Sequence, residues 1–246
     1  FLNPKLFARV KALYEKRDSL KLDPEAAQVL KLYYQQFIHS GANLPAADQA
    51  RLKEINKQDA SLQAEFQQRL VAGTKDAALA LGDKAALDGL SDGEIATAAH
   101  AAQERGMKGG YLIALQNTTQ QPLLTDLADR DTREKLFNKS WTRTERGDGN
   151  DTRGIIQTLA VIRAEKAKLL GYPNYAAYVL YDQMAGTPQA VQKFIGALVP
   201  ATRAKAAQEA KLIQQAIDRD GKHFKLEPWD WQRYAEKVRK ERYDVD

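Results

Sequence analysis

Pro228-Trp229-Asp230-Trp231-Gln232-Arg233-Tyr234-Ala235-Glu236-Lys237 holds two of the three tryptophans in this 246-residue chain. Proline is well placed as a first helical residue, because its missing N–H would have no partner there. From it, Trp231, Tyr234 and Val238 fall at i, i+3 and i+7 and share one face of a helix. Such a large aromatic face needs something to pack against. Only Arg239 to Asp246 come after it, so the spacing predicts a chain cut at an element boundary of a larger protein.

Working back from that stretch, glycine and proline punctuate a series of helices. Asn3-Pro4 and Asp23-Pro24 each set a capping side chain before a proline, opening helices that run to about Ser19 and to Gly41. A third is predicted from about Pro45 to Ala72, with Leu52, Ile55, Leu62, Phe66 and Leu70 on one face and a change of pattern at Gly73. Short apolar runs at 77–82 and 111–116 fit a small β ribbon, since runs of about five suit strands better than helices. Between them Ser91-Asp92-Gly93-Glu94 spells a capping box for a helix ending at Gly106.

Asp131-Thr132-Arg133-Glu134 opens the next helix, and the loop Arg146–Asn150 marks a sub-boundary near 146–151. Beyond it a helix ends at Gly171, a shorter one starts at Asn174, and a long one starts at Thr187-Pro188. The early core face of the long helix is Val191, Phe194, Ile195 and Leu198. The fold class is therefore mainly α with one small ribbon, and a helix content of roughly 60–75% is expected against a globular average of about a third.

Composition narrows the chemistry. With 43% hydrophobic and 28% charged residues the chain is ordinary for a globular protein. Zero cysteines exclude disulfides, thiolate metal sites and thiol catalysis. The net charge of +5 comes from 37 basic residues interleaved with 32 acidic ones, as in Lys11–Asp18. That pattern argues against nucleic acid, which selects basic residues clustered on one face. No apolar run approaches the ~20 residues needed to cross a bilayer, so a membrane partner is not expected either.

The three histidines, His39, His100 and His223, are far apart in the chain. His39 lies near a helix C-terminus, where an imidazolium complements the dipole. His100 sits in an alanine-rich helix with only Glu104 one turn away, and His223 lies in a polar loop. No catalytic or metal-ligating residue is assigned. Tyr33, Tyr34, Tyr172, Tyr175, Tyr178 and Tyr181 could line a groove, but at helical spacing they read as core or core-rim residues. The candidate substrate-binding residues are Asn117, Thr118, Thr119 and Gln120, a run dense in donors and acceptors beside the second strand. Such a loop either receives a peptide backbone at the ribbon edge or ties down its own turn before Pro122, and the second reading is the stronger.

Several strings together resemble the bacterial peptidyl-dipeptidases, within the thimet oligopeptidase and oligopeptidase A family of zinc peptidases. They are Ser40-Gly41-Ala42-Asn43-Leu44, Leu115–Pro122, Asp131–Phe137, Asn150-Asp151-Thr152-Arg153, Lys166–Tyr172 and the Pro-Trp-Asp-Trp run at 228–231. The resemblance covers essentially residues 1–246. It implies an ellipsoid of helices with a deep channel, of which this chain would be the non-catalytic N-terminal or middle wall. It also implies removal of C-terminal dipeptides from short peptides, with zinc in the parent enzyme. The lack of cysteine fits a reducing compartment, and a cytoplasmic setting is expected.

That family's His-Glu-x-x-His motif, two histidines one helical turn apart with a glutamate as general base, is not spelled here. The catalytic zinc region is therefore expected beyond Asp246, no zinc is expected in this chain, and the chain alone is expected to be inactive. The missing C-terminal catalytic region would be its principal partner. The alternative is a free-standing helical protein-interaction domain without enzymatic activity.

Overall fold

The computed structural model describes residues 3–118 and 121–243. Among them are nine α-helices: α1 Pro4–Glu15, α2 Pro24–His39, α3 Ala46–Asp76, α4 Asp92–Glu104, α5 Arg130–Trp141, α6 Arg153–Leu169, α7 Tyr175–Leu180, α8 Pro188–Arg219 and α9 Trp231–Tyr243. Strands β1 Leu79–Leu81 and β2 Tyr111–Ile113 pair antiparallel, Leu79 opposite Ile113 and Leu81 opposite Tyr111. The ribbon exists where expected but is shorter than 77–82 and 111–116. The chain forms two compact units, Phe1–Ala64 with Ile155–Gln192 and Glu65–Gly154 with Lys193–Asp246.

In the first unit the caps agree with the sequence. The Asn3 side chain accepts from the Lys5 and Leu6 amides at 3.1 and 3.2 Å, and Asp23 accepts from Ala26 at 2.8 Å. α1 stops at Glu15 rather than Ser19, because residues 16–20 tighten into turns that end at Lys21 with φ 45°. Phe7 packs on Phe37, and Tyr14 stacks on Tyr34 at 3.9 Å, tying α1 to α2. On α3 Leu52 and Ile55 are buried, and Arg51 and Asp59 pair with Glu165 and Arg163 of α6.

Two glycine-terminated helix ends fix the positions of His39 and Tyr172. Gly41 (φ 84°) ends α2, the Ala42 amide reaching back to Phe37 O at 3.0 Å. Gly171 (φ 83°) ends α6 in the same way, with Tyr172 N bonded to Ala167 O at 2.8 Å. Both are helix stops that need a left-handed residue, which glycine supplies without steric cost.

In the second unit α3 continues past Gly73 to Asp76. The expectation that Gly73 breaks the helix fails for a packing reason. A Cβ there would lie 2.7 Å from the Arg143 carbonyl oxygen, so glycine is required by close backbone approach inside an unbroken helix. Around the ribbon Ala77, Leu79, Leu87, Leu90, Ala98, Ile113, Leu115, Leu124, Leu127 and Leu136 form one core. The capping box at Ser91 forms as spelled, Ser91 N to Glu94 Oε2 at 2.8 Å and Glu94 N to Ser91 Oγ at 3.3 Å. α5 starts earlier than expected, because Asp129 rather than Asp131 caps it by accepting from Thr132 N at 2.8 Å.

A second core joins Ile213, Ala216 and Ile217 of α8 to Tyr234, with Phe224, Leu226, Trp231, Ala235 and Val238 around it. The aromatic face of α9 is thus covered by α8, the long helix that opens at Pro188. Pro228 opens a single 3-10 turn, Pro228–Asp230, and α9 itself begins at Trp231. Phe194, Ile195 and Leu198 are 67%, 51% and 51% exposed and are not core. Their spacing makes α8 amphipathic but does not itself supply a covering surface.

Candidate functional site

The candidate loop begins where the ribbon's hydrogen bonds end. After Leu115, which is buried, the side chain of Gln121 takes the place of a neighbouring strand. Its Oε1 accepts from Gln116 N at 2.8 Å, while its Nε2 donates to Gln116 O at 3.2 Å and to Ser140 Oγ at 2.9 Å. Arg143, just past α5, closes the loop from the other side. Its guanidinium donates to the carbonyls of Gln116 at 3.3 Å, Thr118 at 3.1 Å and Ser140 at 2.9 Å. Asn117 and Thr118 are exposed, whereas Thr119 and Gln120 lie outside the described residues.

The loop's neighbour is the Pro-Trp-Asp-Trp segment, more than a hundred residues away in sequence. A cavity of about 70 Å³ is lined by Gln121, Leu124, Phe137, Ser140, Trp141, Pro228, Trp231 and Gln232. It is flanked by an open cleft of about 500 Å³ formed by Pro122, Thr125, Trp231, Gln232, Ala235, Glu236 and Arg239. Two strings on which the family resemblance rests therefore meet around one cleft. In it the Arg239 guanidinium grips Glu236 at 2.6 and 2.7 Å and holds its carboxyl below the usual range. The cleft lining thus combines the Trp231 ring with the Gln232 amide and the Glu236–Arg239 ion pair.

A buried ionic network fixes this segment. The Asp230 carboxylate is fully enclosed and accepts from Arg133 at 2.8 Å and from Arg130 at 2.9 Å. Arg133 also donates to the carbonyls of Leu127 and Ala128 at 3.0 and 2.9 Å. The hydrogen bonds that Arg130 donates to Asp230 push its guanidinium further up, and the guanidinium carbon lies 4.1 Å from the centre of the Phe224 ring. Charges taken out of water in this way are tolerated only when paired and hydrogen-bonded. Asp230 thus has a structural reason to sit between Trp229 and Trp231. Ser140, Arg143 and this network were not singled out from the sequence. Gln121 carried some signal, being the last amide of the polar run before Pro122; Arg143 carried none.

The histidines are not brought together. His100 is exposed, with Glu104 at 3.8 Å, and His223 is exposed. His39 belongs to the first unit, stacked between Tyr178 at 4.0 Å and Tyr181 at 3.9 Å, its Nδ1 3.2 Å from the Tyr172 hydroxyl. The helix-end position was legible, but its role is to fill an aromatic box rather than to cap α2. Among the described residues no three His, Cys, Asp or Glu side chains gather as a metal site. The residues present therefore do not fit the zinc that the resemblance implies for the parent enzyme.

The sequence profile of peptidase family M3 matches residues 123–246. The chain belongs to peptidase family M3. This M3 chain is 49% identical over all its 246 residues to the dipeptidyl carboxypeptidase of Escherichia coli (strain K12), covering 36% of that protein. It is 48% identical, with the same coverage, to the dipeptidyl carboxypeptidase of Salmonella typhimurium. Oligopeptidase A of Haemophilus influenzae is 26% identical over 211 residues, 84% of the M3 chain and 31% of that relative. The M3 chain thus spans about a third of the length of these relatives. The profile match begins one residue after Pro122, so it takes in α5, the Asp230 network and α9 but not the polar loop.

Proposed function

We propose that this chain is a non-catalytic helical part of a zinc peptidase that removes C-terminal dipeptides from short peptides, and that it forms one wall of the substrate channel. The observation that carries the reading is the convergence of the 116–122 loop and the Pro-Trp-Asp-Trp segment on one open cleft, in a chain similar along its whole length to dipeptidyl carboxypeptidases. In this reading the buried Gln121 and Ser140 and the half-buried Arg143 hold the backbone of Gln116 and Thr118 in place, and Asn117, Thr118, Thr119 and Gln120 are the candidates for side-chain hydrogen bonds to a peptide. A site on a rigid element positions a ligand better than one on a free loop. Zinc and the water it activates would come from elsewhere in the parent enzyme, and the isolated chain hydrolyses nothing. A cytoplasmic setting belongs to the same proposal. Membership of a peptidase family supports it over a free-standing interaction domain.

The test is kinetic. In the intact peptidase carrying this chain, Asn117→Ala combined with Thr118→Val raises KM for a short peptide several-fold and leaves kcat nearly unchanged, the pattern of lost uniform binding. An unchanged KM removes the loop from the channel wall. The isolated chain, dialysed and assayed for metal and for dipeptide release, should show neither; about one zinc per chain with chelator-sensitive cleavage overturns the non-catalytic assignment.

A further inference from the structure

The aromatic box of the first unit opens onto a cavity of about 280 Å³ lined by His39, Ser40, Leu52, Asn56, Lys166, Leu170 and Tyr178. Five of these residues carry a polar group, and none carries a carboxylate. Ser40 and Lys166 are half-buried and Asn56 is exposed at the cavity mouth, and none of the three side chains is tied up in a hydrogen bond to another described residue. Lys166 is half-buried and makes no ion pair among the described residues, its ammonium lying 5.4 Å from the centre of the Tyr178 ring. A half-buried cation normally acquires an anionic partner, because desolvation without pairing is costly. The nearby carboxylates are engaged elsewhere. Asp59 accepts from Arg163 at 2.9 Å and Gln63 at 2.7 Å, and Asp182 accepts from Gln183 at 2.9 Å.

We propose that this cavity binds a small organic carboxylate, with Lys166 pairing its charge, Ser40 and Asn56 donating to its oxygens, and Leu52, Leu170 and Tyr178 covering its apolar part. The volume lies just below the range for drug-sized small-molecule sites, about 300 Å³ upward, which suits a short acid rather than a peptide chain. Electrostatics agree with the geometry. Burial lowers the Lys166 amine, with Asp59 opposing and Arg163 reinforcing the shift. Burial also lowers the His39 imidazole, with Asp182 opposing it and Lys166 reinforcing it. A bound carboxylate would raise both.

The carboxylate could come from a free monocarboxylic acid or from the C-terminus of a dipeptide. Isothermal titration of the chain with 3-phenylpropionate, with the dipeptide Gly-Phe, and with the neutral amide of each separates these sources. Saturable binding of at least one acid is expected, with its amide at least tenfold weaker. Binding of Gly-Phe alone assigns the site to peptide termini, and binding of both assigns it to small carboxylates in general. Lys166→Gln weakens the acid at least tenfold while Lys166→Arg retains it. No saturable binding, equal binding of acid and amide, or undiminished binding by a folded Lys166→Gln chain overturns the proposal. Should Lys166→Gln fail to fold, the His39 imidazole resonances of the unsubstituted chain decide. An upward pKa on adding the acid supports the site, and no change overturns it.

Discussion

Asp230 and Arg133, 97 residues apart, meet at 2.8 Å with both side chains sealed from solvent. Their pairing holds the Pro-Trp-Asp-Trp turn against the start of α5, and with it the Trp231 side of the cleft that Pro122 also lines. A buried pair of this kind adds little net stability over an apolar substitute, yet removing one partner leaves an uncompensated charge.

Asp230→Ala should therefore cost ~3–5 kcal/mol. Replacing Asp230 and Arg133 together by leucine and methionine should recover much of that loss. Denaturant melts of the three chains check it. A loss below ~1 kcal/mol for Asp230→Ala would mean the buried charge of Arg133 finds another partner or water.

Gly73 and Gly196 are both helical glycines, and alanine should act on them with opposite sign. At Gly196 nothing lies within 4 Å of an added Cβ, so Gly196→Ala should gain ~0.5–1 kcal/mol from reduced backbone entropy in the unfolded chain. At Gly73 the new methyl meets the Arg143 carbonyl oxygen at 2.7 Å, and Gly73→Ala should lose ~1–3 kcal/mol. Thermal melts of both chains decide the matter, and a higher Tm for Gly73→Ala contradicts the close approach.

The three tryptophans should respond differently to a quencher. Trp141 is 68% exposed, Trp231 packs in the α8–α9 core, and Trp229 lies against Phe137 with a buried indole N–H. Iodide should quench one component of the fluorescence, and Trp141→Phe should abolish it. Free quenching of Trp231 would deny that α8 covers this face, and free quenching of Trp229 would deny its packing on Phe137. Sedimentation of the same chain tests the other apolar surface. Self-association through Phe194, Ile195 and Leu198 is expected, and Phe194→Ser with Leu198→Ser should relieve it.

The aromatic box should make stability pH-dependent at both ends. Burial holds His39 below its ordinary 6.5, so the unfolded chain binds the extra proton first. The contribution is complete above pH 6.5 and is lost as pH falls through the folded value. Tyr178 is pushed up to about 12 by burial and by the surrounding tyrosines, so its contribution is present below its ordinary 10 and disappears as pH rises through about 12. Denaturation midpoints at neutral and mildly acidic pH, compared with His39→Phe, should show a smaller acid sensitivity in the variant. Tyrosinate absorbance should lose its late component in Tyr178→Phe.

Where the determining forces are local, the sequence read correctly. Asn3-Pro4, Asp23-Pro24 and Ser91-Asp92-Gly93-Glu94 start helices because their side chains cap amides two or three residues away. Gly41, Gly106, Gly171 and Gly221 come just after helix ends because a left-handed residue is needed there whatever the surroundings. The ribbon could be placed by the length of its apolar runs, and the motif strings carried the family.

What depends on distant neighbours could be settled only by the tertiary structure. An amphipathic stripe reads the same whether it is covered, as at Tyr234, or exposed, as at Phe194, because the pattern records a preference for burial and not the surface that satisfies it. Gly73 has the spelling of a helix breaker, and only the Arg143 backbone beside it explains why the helix runs on. Gln121 and Arg143 became the supports of the candidate loop only when folding brought α5 against it. Hydrogen bonds and charge pairs act over a few ångströms of space, and the fold alone sets which of these residues come within that distance.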